Sequence, residues 1–208
     1  MKKLFFFLFF IIIPSLYAQE IKLEKITGSL DKPWSLSFID SNNIIFTEKS
    51  GKLYILNLID KKVTEIKHNL SVLEVGQGGL LDVLYHEQKV YISYSENRGD
   101  WKTSTSVGKG KFDKNEIEFK NIFQAEPPID SGYHFGSRLV IKDKHLYISA
   151  GERGKGMIAQ DAKQHPGSII RINLDGSIPK DNQKFKNKKD WLPEIYQIGV
   201  RNTQGMAL

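Results

Sequence analysis

His134 stands between two aromatic residues in Gly132-Tyr133-His134-Phe135-Gly136-Ser137-Arg138, directly ahead of the apolar run Leu139-Val140-Ile141. Imidazole titrates near neutrality, so a His held at a strand entrance can take a proton from an alcohol. The same spacing also suits a structural His hydrogen-bonded in a turn. Gly76-Gln77-Gly78-Gly79 places one amide among glycines ahead of Leu80-Leu81. A tight backbone there brings Gln77 close to a ligand, or simply makes a glycine turn. Gly199-Val200-Arg201-Asn202-Thr203-Gln204-Gly205 sets a guanidinium fork beside an amide. That pair suits the carboxylates or carbonyls of a planar ligand, or a salt bridge at a strand entrance. Gly151-Glu152-Arg153-Gly154-Lys155-Gly156 has the glycines of a phosphate loop, but Met157 stands where Lys-Ser/Thr chemistry would be needed. It reads as a flexible loop. His68, His86, His145 and His165 sit in polar turns without metal-ligand spacing and read as surface histidines.

These clusters lie between strands, and loops at one end of a rigid β scaffold are where sites are commonly built. Val90, Ile92 and Tyr94 alternate with Tyr91 and Ser93, and Trp34, Leu36 and Phe38 alternate with Ser35 and Ser37. Period-two alternation puts each set on one face of a sheet. Turn residues punctuate the strands at Asp40-Ser41-Asn42-Asn43, Ser50-Gly51-Lys52, His86-Glu87-Gln88 and Lys142-Asp143-Lys144. No segment carries a long helical period, so the fold class is all-β. Leu36 to Glu48, Asp82 to Tyr94 and Arg138 to Ala150 each read strand, polar turn, strand. The first and third continue into further strands at Lys52–Leu58 and Ser168–Asn173. This loose repeat suits β-propeller blades of about four strands. Gly205-Met206-Ala207-Leu208 reads as the first strand of another unit. About three to four blades leave two sheet faces that a closed propeller would bury. The expectation is a partial propeller over 19–208 with its C-terminal part missing. A small open β-sandwich is the alternative.

Met1-Lys2-Lys3, the apolar run Leu4 to Ile13 and Leu16-Tyr17-Ala18 have the form of a secretory signal peptide over 1–18. The apolar run is about half of the ~20 residues a spanning helix needs, so cleavage after Ala18 and no membrane anchor are expected. A periplasmic location follows. The chain has no Cys, which excludes disulfides and thiolate metal sites. Its formal charge of +6 is modest. The lysine run Lys184, Lys186, Lys188 and Lys189 lacks interleaved aromatics, so it reads as a solvated loop and no nucleic-acid partner is expected. No Gly-x-Ser-x-Gly element suggests a serine hydrolase. No acid cluster sits at the predicted loop ends, which counts against a metal-dependent propeller lactonase.

Seven pieces in order carry a resemblance: Lys32-Pro33-Trp34-Ser35-Leu36, Gly76-Gln77-Gly78-Gly79-Leu80-Leu81-Asp82, Tyr133-His134-Phe135-Gly136-Ser137-Arg138-Leu139, Ala159-Gln160-Asp161, Gly167-Ser168-Ile169-Ile170-Arg171-Ile172, Asp175-Gly176-Ser177-Ile178-Pro179 and Arg201-Asn202-Thr203-Gln204-Gly205. From about Leu30 to Leu208 the chain resembles the soluble PQQ-dependent glucose and aldose sugar dehydrogenases. The resemblance implies a six-bladed β-propeller with PQQ and Ca²⁺ at its wide end. It places Gln77, Arg201 and Asn202 at the cofactor and His134 as general base, with an aldose oxidised to an aldonolactone and its electrons passed to an acceptor. The calcium ligands are expected beyond Leu208, so this chain alone should be inactive. The family often has Gly where Ser137 stands and Pro where Thr203 stands. Its glucose-specific branch has Asp where Tyr133 stands, which favours the broader aldose branch. A non-catalytic propeller that only binds is the competing class.

Overall fold

The computed structural model describes residues 21–183 and 190–208. The proposed signal segment and the lysine run at 184–189 lie outside them. Among the described residues no helix is long and apolar enough to cross a membrane.

The strands form three antiparallel sheets, each a propeller blade. The first holds β1 (Pro33–Phe38), β2 (Asn43–Glu48), β3 (Lys52–Asn57) and β4 (Val63–His68) in chain order. The second holds β5 (Leu80–His86), β6 (Lys89–Asn97), β7 (Thr103–Lys111) and β9 (Phe119–Gln124). The third holds β10 (Gly136–Lys142), β11 (His145–Ala150), β12 (Ser168–Asn173) and β13 (Ile195–Ile198). The two-residue strand β8 (Glu116–Ile117) leaves the second unit and pairs parallel with β4, stitching two blades together. A 3₁₀ turn at Gly156–Gln160 interrupts the β11–β12 connection.

Local chemistry sets the hairpins. Asp40 Oδ1 accepts the Asn42 N–H at 2.8 Å and closes the β1–β2 turn. Glu87 and Gln88 both take positive φ (48° and 60°), and His86 pairs with Lys89 across them. This is a two-residue turn of the hand that matches strand twist. Alternation then decides which blade each side chain meets. Val90, Ile92 and Tyr94 pack with Ile45, Leu53 and Ile66 of the first blade. Tyr91, from the other face of β6, packs with Leu139, Leu146, Ile148 and Ile170 of the third. The core is therefore two layers between blades, and the middle blade is buried on both faces.

On β1 the alternation runs the other way. Leu36 and Phe38 are 57% and 60% exposed on the open side, while Ser35 and Ser37 face the second blade. The Ser37 hydroxyl accepts the Tyr85 N–H at 3.0 Å. Asp82, 4% exposed, accepts from Ser35 Oγ at 2.5 Å, from the Leu139 N–H at 2.8 Å and from Arg138 Nη1 at 3.3 Å. One carboxylate thus ties the first strands of all three blades, and those strands carry the site at their entrances.

The expected strand at Gly205–Leu208 does not form. A strand needs a neighbour for its ladder hydrogen bonds, and none pairs with this segment among the described residues.

Candidate active site

In each blade the entrance to the first strand and the turn between the second and third fall at the same end. The Gly76–Gly79 loop enters β5, the Gly132–Phe135 loop enters β10, and Gly151–Gly167 joins β11 to β12. The Gly199–Gly205 segment returns to that end from β13. All four sequence clusters therefore converge.

His134 occupies a left-handed backbone position, φ 52°. Three contacts hold it there. The Gln77 Oε1 accepts the His134 N–H at 2.8 Å. The Arg153 N–H donates to the His134 carbonyl at 3.3 Å. Gly151 packs so closely that a Cβ would lie 2.0 Å from the His134 oxygen, so only glycine fits. Gly76 is equally constrained: its φ is 55°, and a Cβ would lie 2.4 Å from the Gly132 carbonyl oxygen. The two loops lock together, which presents the Gln77 amide to His134. Ser137, at the family's common glycine position, has φ 73° and is fully buried, with its hydroxyl donating to the Phe135 carbonyl at 3.2 Å. The left-handed conformation explains why glycine suits that position.

Behind His134 lies Glu152, 3% exposed. Its Oε1 bonds the His134 Nδ1, and its Oε2 accepts the Gly156 N–H at 2.9 Å. Burial pushes the Glu152 carboxyl up, but the Gly156 N–H and His134 outweigh it and hold it below the ordinary carboxylate range. Glu152 is therefore an acceptor-only carboxylate at neutral pH. His134 Nδ1 must donate to it, which leaves Nε2 as the basic nitrogen. Glu152 was not among the expected site residues, because its loop reads as flexible in the sequence. The structure corrects that reading. Arg153 in the same loop is 2% exposed and threads beneath the His134 loop. Its Nε donates to the Tyr133 carbonyl at 3.0 Å, Nη1 to the Thr103 carbonyl at 2.9 Å, and Nη2 to Thr103 Oγ1 at 2.7 Å and to the Ser131 carbonyl. A glycine-bracketed Glu-Arg pair directly after the apolar strand ending at Ala150 was the available signal.

The remaining expected residues also gather. Asn202 Oδ1 accepts the Gly136 N–H at 2.9 Å and a bond from Gln204 Nε2 at 3.0 Å. The Arg201 carbonyl accepts the Glu152 N–H at 2.9 Å. The Arg201 side chain is 81% exposed and reaches within 3.8 Å of Glu152, an ion pair that water screens. At the same end a cleft of 340 Å³ is lined by Trp34, Lys49, Gln77, Leu81, Phe135, Gly136, Asn202 and Gln204; it adjoins His134 through Gln77 and Phe135, and His134 and Arg201 are not in its wall. Aromatic and aliphatic walls with converging amides and one cation fit a flat, anionic, carbonyl-bearing molecule. Among the described residues no group of three or more His, Asp or Glu side chains is placed to hold a metal ion.

His165 is a second correction. It is 5% exposed rather than a surface residue. Its Nδ1 accepts the Glu126 N–H at 2.8 Å and its Nε2 meets Glu194 at 2.9 Å. Burial pushes Glu194 up, but His165 more than offsets this and leaves it lowered. Glu152 and Glu194 thus both bind protons more weakly folded than unfolded. Their stabilisation is complete above the ordinary Glu value of about 4.3 and drains as pH falls through the depressed folded values. Urea titrations between pH 3 and 6 should show stability falling with acid, on a slope that Glu152→Gln makes shallower. An unchanged slope in that variant would remove Glu152 from this account.

Residues 30–208 match the family described as Glucose / Sorbosone dehydrogenase. The aldose sugar dehydrogenase YliI of Escherichia coli (strain K12) is 33% identical over 198 residues, covering 90% of this chain and 53% of that protein. The quinoprotein glucose dehydrogenase B of Acinetobacter calcoaceticus is 29% identical over 227 residues, covering 91% and 46%. The crystal structure of the soluble aldose sugar dehydrogenase from Escherichia coli in the apo-form superposes with a TM-score of 0.80 at 32% identity, covering 86% of this chain and 54% of that one. The chain spans about half the length of the curated relatives it matches. Three consecutive propeller blades and a family match across nearly all the described residues agree: the chain belongs to the glucose/sorbosone dehydrogenase family.

Proposed function

We propose that the protein carrying this chain oxidises aldose sugars at the anomeric carbon to aldonolactones, with PQQ as the acceptor and His134 as the general base. The observation that carries this reading is the His134–Glu152 pair beside the amide-lined cleft. A propeller that only binds has no need of a buried carboxylate fixing the tautomer of an imidazole at the blade end where the amides converge. When bound, PQQ supplies an ortho-quinone that accepts the hydride equivalent from the sugar C1.

The chain's residues do the rest. His134 Nε2 takes the anomeric hydroxyl proton, so the sugar gives up one proton and one hydride, and C1 becomes the lactone carbonyl. Glu152 holds the ring and stabilises the imidazolium that forms. Gln77 fixes the His134 backbone through its Oε1 and keeps its amide N–H₂ for the ligand. Asn202 orders the Gly136 entrance, and the exposed Arg201 guanidinium is available to negative charge developing on the reduced cofactor. Tyr133, 63% exposed beside His134, offers an aromatic face rather than a carboxylate to the sugar and suits a broad aldose range. The electrons pass on to a separate acceptor. The sequence signal over Met1–Ala18 supports export to the periplasm.

The test uses apoprotein made from the complete coding sequence. With PQQ and Ca²⁺ added, aldoses should drive dye reduction that needs PQQ. No PQQ-dependent reduction with any aldose would overturn the proposal.

A further inference from the structure

Lys49 lies in the turn between β2 and β3, at the same end as His134, and is the charged residue in the wall of the cleft. Its Nζ donates to one neutral acceptor, the Gly76 carbonyl, at 2.7 Å. Neighbouring cations are satisfied differently. Arg138 pairs with Asp82, Lys32 with Glu74 and Arg98 with Glu126. No carboxylate lies within ion-pair distance of Lys49 among the described residues. An ammonium group has three donors. The Gly76 carbonyl uses one, and the others remain for a ligand.

The turn itself fixes the position. The Lys49 carbonyl accepts the Leu80 N–H at 3.1 Å, and a Cβ on Gly79 would lie 2.2 Å from that same oxygen. Lys49 is thereby bound to the loop that carries Gln77, so cation and amide form one unit. Lys49 is half-buried with its ammonium reachable by solvent, so an anionic group of a ligand in the cleft can replace water at its free donors.

We propose that Lys49 binds a carboxylate of the anionic cofactor and supplies part of its affinity. This rests on the PQQ reading above, because PQQ is a tricarboxylate. It concerns a residue that neither the resemblance nor the motif spacing singles out.

The experiment titrates PQQ into apoprotein made from the complete coding sequence. Binding is followed by cofactor absorbance and by quenching of tryptophan fluorescence, at low and raised salt. Lys49→Gln keeps a donor for the Gly76 carbonyl and removes the charge; Lys49→Arg keeps both. Lys49→Gln should weaken binding roughly tenfold or more and flatten its salt dependence, while Lys49→Arg restores most of the affinity. Melting curves of the variants should coincide with the parent's. If Lys49→Gln binds as tightly as the parent, with the same salt dependence, Lys49 is only a brace for the Gly76 loop and the inference fails. If the parent itself binds no PQQ, the functional reading fails and takes this one with it.

Discussion

His134→Ala in the PQQ-reconstituted protein is expected to lower aldose-dependent dye reduction by about 10²–10⁴-fold, the usual worth of a positioned general base. PQQ binding should persist. The reason is geometric. The backbone of residue 134, not its ring, is what Gln77 and Arg153 hold, through the His134 N–H and carbonyl. Removing the imidazole leaves the loop, the cleft and Asn202 in place. It removes only the nitrogen proposed as the base, and it leaves the Glu152 Oε1 without its His134 partner. Glu152→Gln is the informative companion. A glutamine Oε1 can still accept the Gly156 N–H, so the loop survives, but the negative charge that steadies the imidazolium is gone. Its turnover should fall to a level between the parent and His134→Ala. Steady-state kinetics at saturating PQQ decide the matter: parental turnover in His134→Ala would remove the base from its role.

Much of the fold was legible because its signals are local. The β1–β2, β5–β6 and β10–β11 hairpins follow from alternation and from turns such as Asp40-Ser41-Asn42-Asn43, and each forms as expected. β7 was not legible. Thr103-Ser104-Thr105-Ser106 shows no apolar alternation, yet all four residues are at most 1% exposed. Small hydroxyl side chains fit between closely packed blades, and Thr105 Oγ1 spends its proton on the Phe135 carbonyl at 2.8 Å. A polar strand buried by its neighbours looks like a loop in a linear reading. The site divides in the same way. His134, Gln77, Arg201 and Asn202 stood out by type and by glycine bracketing, and the structure gathers them at one end. Glu152 and Arg153 carried the same bracketing but no motif. Their partners, His134, Thr103 and Ser131, are assigned only by the way blades two and three meet.

Arg153→Met should lower thermal stability by about 3 kcal/mol, the scale for breaking a buried charged hydrogen-bond network. In the protein from the complete coding sequence that is a melting shift of roughly 3–6 °C, about half that expected for 150–250 residues. The guanidinium is 2% exposed, lies 3.7 Å above the Phe135 ring and bonds residues 103, 131 and 133. Burial lowers its pKa to about 10, with Glu152 opposing the drop, so it remains charged at neutral pH. Methionine fills most of the volume and keeps the contact with Phe135. It leaves the Tyr133 and Ser131 carbonyls, in and just ahead of the loop that carries His134, without their guanidinium donor, while the Thr103 carbonyl keeps only the Ile129 N–H. Arg153→Lys keeps the charge but cannot reach all three carbonyls from one point, so it should recover only part of the stability. Because the same bonds set the left-handed turn at residue 134, turnover should fall in step with stability across the two variants. Circular dichroism melts and kinetics on the same preparations separate the outcomes: a melt within 2 °C of the parent for Arg153→Met would show that the loop holds its shape without the guanidinium, through Gln77, the Gly76–Gly132 contact, Gly151 and the residue 153 N–H.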